Sequence, residues 1–377
     1  MNFKGLTSRF DLKESVVVMQ MSSLEERWRE FSQCLTISRR VGGPRTPGTP
    51  QSMLDRPPAE RREAGWRHPL TWWALLVVLG VGGACGVTRQ ETEFVVEQDA
   101  GGRPLFVHPE ELEALRQGQG AVVLDARGGM SYLGGHITGA GSAPWQSFTG
   151  DGLLTGLLTQ DMASVQDALQ ALGVRNEAPV VVVADWDAGW GEEGRLFWML
   201  EYLGHEDVRI LYGGMPRWKA EGRPTESFSS SPVRGDFIVR LREDRRATAQ
   251  EVLSALESEG SVVVLDTRRA EEYGGSTPYG SARGGHIPTA RHFYWKEVFG
   301  ADGNLKPRES LRARLNGLGV GDDTIVIAYC TGGVRSGFMY AVMRWLEYDS
   351  PQNYDGSWWE WASRDELPVS DRASAAP

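Results

Sequence analysis

The chain has only three cysteines in 377 residues, Cys34, Cys85 and Cys330. No two of them stand at CxxC spacing, so a disulfide framework and a cysteine zinc site are both excluded, and each thiol needs its own account. Positive charge is also scarce. Forty Lys and Arg against fifty Asp and Glu leave a net charge of −10, which gives the molecule no overall attraction for a nucleic-acid backbone. No apolar run reaches the ~20 residues that span a bilayer. The strongest, Leu70–Val81, contains Gly80 and runs into Gly82 and Gly83. What remains is ordinary globular composition, 41% hydrophobic and 24% charged, with room for two domains of ~100–200 residues each.

The apolar run nevertheless has a context. Arg61, Arg62 and Arg67 precede it, residues 69–88 carry no charge, and Gly82-Gly83-Ala84 leads to Cys85. Basic, apolar and small residues in that order are the pattern of a secretory signal. A cysteine directly after small residues is similar to a bacterial lipobox, although Gly82 stands where a leucine is usual. That similarity implies lipidation of Cys85 and an exported protein held at the periplasmic or cell-envelope membrane through an N-terminal lipid or signal anchor. Met53 makes the better start, so 1–52 reads as a non-native or disordered extension, 53–85 as the signal segment, 86–102 as a polar tether and 369–377 as a disordered tail.

Between these ends the sequence repeats itself. AVVLDAR (Ala121–Arg127) returns as VVVLDTR (Val262–Arg268), Gly135-His136-Ile137 as Gly285-His286-Ile287, and Leu172-Gly173-Val174 as Leu318-Gly319-Val320. PVVVVAD (Pro179–Asp185) is matched by TIVIAYC (Thr324–Cys330), and aromatic segments ending at Trp218 and Trp361 close the two copies. Short continuous Val/Ile runs alternating with helical patterns predict parallel strands buried on both faces. The expected fold class is therefore α/β: two tandem domains, 103–222 and 236–368, each a mostly parallel sheet flanked by helices. The Ser- and Pro-rich stretch 223–235 reads as the linker.

With these marks in place, residues 103–368 resemble the tandem two-domain rhodaneses, a family of sulfurtransferases. The resemblance rests on the Asp-x-Arg strand ends, Gly-His-Ile-Pro at 285–288, the Cys330 loop and Asp-Gly-Ser-Trp at 355–358. It implies that Cys330 is the catalytic nucleophile. As a thiolate it would take the outer sulfur of a small anionic donor, thiosulfate or 3-mercaptopyruvate, and pass it from a cysteine persulfide to a thiophilic acceptor such as cyanide or a thiol. No metal and no organic cofactor is needed for that chemistry, and a monomer suffices.

The residues around Cys330 support the reading on their own terms. The thiol ends a strand, and Thr331-Gly332-Gly333-Val334-Arg335-Ser336 leads into a helical stretch, so loop N–H groups and a helix N-terminus face an anion. The two glycines let successive N–H groups turn inward as a nest. Arg335 is expected to meet the donor anion through two hydrogen bonds; the family resemblance implies that Arg283, just ahead of Gly-Gly-His, binds it as well. Asp266 and Arg268 are expected as a structural ion pair beneath the loop, repeated by Asp125 and Arg127, while His286 and His136 are expected to pack. Asp185 stands where Cys330 stands, so the first copy is expected to be catalytically silent. Two other readings share the residues. A persulfide carrier would use the same Cys330 without turnover, and a rhodanese-related phosphatase would need Arg one position later, where Ser336 stands.

Overall fold

The computed structural model describes residues 103–152, 154–228, 232–258 and 261–371. The extension, signal segment and tether expected at 1–102, Cys34 and Cys85 included, lie outside the described residues.

The Val-rich runs become strands because their residues can be buried on both faces. In the first half these are β1 (Phe106–Val107), β2 (Val122–Asp125), β3 (His136–Ile137), β4 (Gly141–Ser142), β5 (Val180–Val183), β6 (Val208–Leu211) and β7 (Thr225–Glu226). Five of them form a parallel sheet in the order β1-β6-β5-β2-β4. Helices α1 (Pro109–Gly118), α2 (Gly129–Leu133), α3 (Met162–Ala171), α4 (Glu192–Tyr202) and α5 (Gly214–Ala220) connect and cover it. The second half repeats the plan with β8 (Val262–Asp266), β9 (Arg291–His292), β10 (Ile325–Tyr329) and β11 (Pro351–Asn353), paired in parallel in the order β11-β10-β8-β9. Its helices are α6 (Ala249–Ala255), α7 (Ala270–Tyr273), α8 (Arg308–Asn316), α9 (Val334–Trp345) and α10 (Ser357–Ser363).

The described residues of and after the stretch read as a linker pack on the first half: β7 pairs antiparallel with β3, and the N–H groups of Gly235, Phe237, Arg240 and Arg242 donate to the carbonyls of Gln170, Val174, Leu203 and Tyr202. Phe237, buried in the core against the His205 ring, is the reason. The tail begins ordered too, because Ser370 and His286 exchange both backbone hydrogen bonds.

The halves are not separate globules. One hydrophobic cluster contains Phe197 and Trp198 of α4 together with Phe338 and Tyr340 of α9. The two helices cross at Gly194 and Gly337. A Cβ on Gly194 would lie 2.1 Å from the Phe338 Cα, and one on Gly337 would lie 2.7 Å from the Arg195 Cα. Both helices start at the carboxyl ends of their sheets, so the crossing brings the loop of each half beside the other.

Candidate active site

β10 carries Cys330 to the carboxyl edge of the second sheet, where open α/β folds bind ligands. The aromatic segment that closes the repeat holds the loop there. The Cys330 N–H donates to Ser357 Oγ at 3.0 Å, and the Ser357 hydroxyl donates to the Tyr354 carbonyl at 2.7 Å. The carbonyls of Cys330 and Thr331 accept from the N–H groups of Trp358 and Trp359. Gly332 lies flat on Trp359, where a Cβ would come within 2.3 Å of the ring. Gly333 caps α9 in the left-handed region at φ 76°, aiming the helix N-terminus at the sulfur.

Cys330 is 1% exposed. Burial alone would push its thiol up, but the Arg335 charge, the N–H groups of Ser336 and Gly332 and the Ser336 hydroxyl more than offset it, and the thiol is held below its ordinary value. A lowered pKa raises the thiolate fraction, the form that attacks sulfur.

Arg335 does not sit as expected. Its Nη1 and Nη2 donate to both oxygens of Glu272 at 2.7 and 2.8 Å, and Nη2 also reaches Thr331 Oγ1 at 2.5 Å. The Thr331 hydroxyl donates to the same carboxylate at 2.8 Å. Burial works to raise the Glu272 carboxyl, yet Arg335 and Thr331 hold it below its ordinary range. The fork expected to meet a donor anion is therefore filled by Glu272, and Arg335 is placed to act on the sulfur. Arg283 departs further. Its guanidinium donates to the carbonyls of Trp361, Ala362, Arg364 and Leu367, so it ties down the end of α10, with its donors committed to backbone rather than to a ligand.

The remaining residues fall where the repeat puts them. Arg268 pairs with Asp266 at 2.6 Å and reaches the Gly285 carbonyl at 2.7 Å. Arg127 pairs with Asp125 at 2.6 Å and reaches the Gly135 carbonyl at 3.0 Å. His286 stacks on Tyr273 at 3.7 Å and His136 on Tyr132 at 3.6 Å, each ring Nδ1 on the carbonyl of the residue it stacks against. Asp185 occupies the place of Cys330 and accepts from Arg127 at 3.4 Å.

Two site residues escaped sequence reading. Glu272 stands in the segment AEEY, and nothing local marks it as the partner of a residue 63 positions on. Arg195 lies on α4 in the silent half, yet its Nη2 donates to the Gly156 carbonyl at 2.5 Å and its Nη1 to the Gly333 carbonyl at 3.4 Å. It is fully buried, with Trp198 beneath its guanidinium at 4.7 Å. Burial pulls it down to about 10, opposed by the charges of Asp355 and the Cys330 thiolate. No local pattern marks it: the close crossing of α4 and α9 at Gly194 and Gly337 brings this part of α4 to the start of α9. Among the described residues no cluster of three His, Cys, Asp or Glu side chains has the geometry of a metal site.

Residues 108–221 and 248–364 each match the rhodanese-like domain family. The chain belongs to the rhodanese family. Within it, the chain is 32% identical over 267 residues to a thiosulfate sulfurtransferase of Pseudomonas aeruginosa, covering 71% of this chain and 97% of that protein. It is also 32% identical over 250 residues to the sulfur carrier protein TtuD of Thermus thermophilus, covering 63% and 86%. Among solved structures it is similar to SseA of Escherichia coli, described as a 3-mercaptopyruvate sulfotransferase, with a TM-score of 0.60, 26% identity and coverage of 67% and 98%. An anaerobic ergothioneine biosynthesis enzyme from Chlorobium limicola shares the fold, at a TM-score of 0.63, 21% identity and coverage of 71% and 70%.

Proposed function

We propose that this rhodanese transfers sulfane sulfur from thiosulfate to a small thiophilic acceptor through a persulfide on Cys330. The observation that carries the reading is the Cys330 cradle: a buried thiol held below its ordinary value by Arg335 and two loop N–H groups. The Cys330 thiolate attacks the outer sulfur of thiosulfate and forms a new S–S bond. The old S–S bond breaks, and its electron pair leaves with sulfite. The persulfide anion stays in the same cradle, stabilised by the same donors and by the α9 N-terminus. Cyanide or a thiolate then attacks the terminal sulfur and restores the Cys330 thiolate. No proton need be taken up or lost when cyanide is the acceptor. The test is thiocyanate formation from thiosulfate and cyanide, with the Cys330→Ser protein as control.

Thiosulfate is preferred to 3-mercaptopyruvate because the signal-like segment 53–85 implies export, away from cytoplasmic carbonyl thiols. Lipidation at Cys85 and a membrane-held protein in the cell envelope belong to the same proposal. The carrier reading draws on the name of the Thermus relative, but a thiol 1% exposed at the bottom of a loop favours small acceptors over a protein partner. A phosphatase reading is disfavoured, since the guanidinium that would cradle a phosphoryl group is filled by Glu272.

A further inference from the structure

The loop that replaces the catalytic loop in the silent half, Asp185–Gly191, is held against the second half. Trp186 Nε1 donates to the Gly303 carbonyl at 2.9 Å, and Lys296 Nζ to the Asp187 carbonyl at 2.5 Å. Trp186 is buried among Phe106, Tyr212, Phe299 and Phe338. Trp190 is not: it is 44% exposed although it is the largest kind of side chain. Its backbone is fixed on both sides, since its N–H donates to Glu192 Oε2 at 2.8 Å and the next residue, Gly191, passes Phe338 so closely that a Cβ would approach within 2.8 Å.

Trp190 instead lies over Arg335 of the second half. Its ring meets Tyr279, from the other half, edge to face at 5.6 Å and 90°. The Arg335 guanidinium lies 5.9 Å from the Trp190 ring centre and 5.7 Å from that of Tyr279. The exposed Arg269 guanidinium lies 5.7 Å from the Trp190 ring. Tyr279 is anchored in turn, its carbonyl accepting from Trp359 Nε1 at 3.1 Å, and Trp359 is the ring that packs on Gly332. Two rings, one from each half, thus lie over the arginine whose charge lowers the Cys330 thiol, and neither belongs to a core cluster.

We propose that Trp190 and Tyr279 form a gate that sets the size of molecule able to reach Cys330, so that specificity for small linear sulfur donors and acceptors is supplied by the catalytically silent half. The proposal rests on the sulfurtransferase reading for its biological sense, but the gate itself is a steric statement about access to one thiol. The ring faces already hold guanidinium groups, so the pair is not a cage for a quaternary ammonium ligand, which needs open aromatic faces. Arg269 leaves the outer rim cationic, which suits an anion arriving end-on.

The test uses the full chain and two alkylating reagents with the same reactive group, N-ethylmaleimide and pyrenylmaleimide, and reads modification of the Cys330 peptide by mass spectrometry so that Cys34 and Cys85 do not interfere. The measured quantity is the ratio of the bulky to the small rate. Trp190→Ala is expected to raise that ratio roughly tenfold, Tyr279→Ala to raise it from the other side, and Trp190→Phe to restore most of the restriction. With sulfur acceptors, the ratio of glutathione to cyanide turnover should rise in the same variants. An unchanged alkylation ratio in both Trp190→Ala and Tyr279→Ala overturns the gate. Failure of thiosulfate to load Cys330 in the unaltered protein would instead overturn the sulfurtransferase reading, and the alkylation ratio would still decide the gate.

Discussion

Arg335 and Glu272 are joined through both guanidinium Nη atoms, and neither side chain is more than 4% exposed. Such a pair is costly to break from one side, because the partner left behind is a buried, uncompensated charge. It also divides the labour at the site: Glu272 fixes the guanidinium, and the guanidinium lowers the Cys330 thiol.

Arg335→Ala should therefore act through the thiolate rather than through donor affinity. Stability is expected to fall by about 3–5 kcal/mol because Glu272 is stranded, and the acid limb of kcat/KM against pH should move to higher pH as the thiol rises. Chemical denaturation and a pH–rate profile check both parts. An unshifted profile with a raised KM for thiosulfate would mean that the arginine binds the donor after all.

Arg283→Ala should do the opposite. With four backbone carbonyls losing their cationic donor, the end of α10 loosens and stability drops by about 1.5–3 kcal/mol. The KM for thiosulfate should change less than twofold, because no donor contact is lost. A tenfold rise in KM with an unchanged melting temperature would restore Arg283 to the donor site.

The difference between these two arginines shows how far the sequence could be read. The repeat made the strands, both Asp-Arg pairs, the stacked histidines and the position of Cys330 legible, because each depends on residues close in sequence or on the period of buried Val and Ile. Arg335 and Arg283 were legible as cations near the loop, but what their forks meet depends on Glu272 and on the carbonyls of 361–367. Those positions are brought in by tertiary packing that no spacing encodes. Arg195 and Trp190 were hidden for a stronger reason: they lie in the half whose nucleophile is missing, and only the α4–α9 crossing turns them toward Cys330. Composition marks the Ser and Pro of the linker but gives no sign that Phe237, just after it, docks back into the core.

Glu193, beside Arg195, offers a test of the interface. Its side chain is fully buried with neither oxygen hydrogen-bonded. Burial, followed by the charges of Glu192, Asp185 and Asp187, raises its carboxyl well above the ordinary value. The folded protein therefore keeps this proton to higher pH than the unfolded chain, which releases it near ~4.3. Stability is lost as pH rises from that value through the folded one, at about 1.4 kcal/mol per unit of separation. Glu193→Gln removes the ionisation while keeping the shape, so it should stabilise the protein at pH near 8 and change little near pH 4. Unfolding curves at the two pH values check the sign. Equal effects at both would show that the carboxyl does not titrate differently on folding.

The central claim is that Cys330 alone carries sulfur. The most direct measurement is peptide mass spectrometry of the full chain after treatment with thiosulfate and removal of excess donor. The account predicts one added sulfur atom on the peptide containing Cys330, its loss on addition of cyanide with an equivalent of thiocyanate formed, and no sulfur on either thiol of 1–102. A Cys330→Ser protein that still forms thiocyanate at the unaltered rate, or added sulfur only on Cys34 or Cys85, would contradict it.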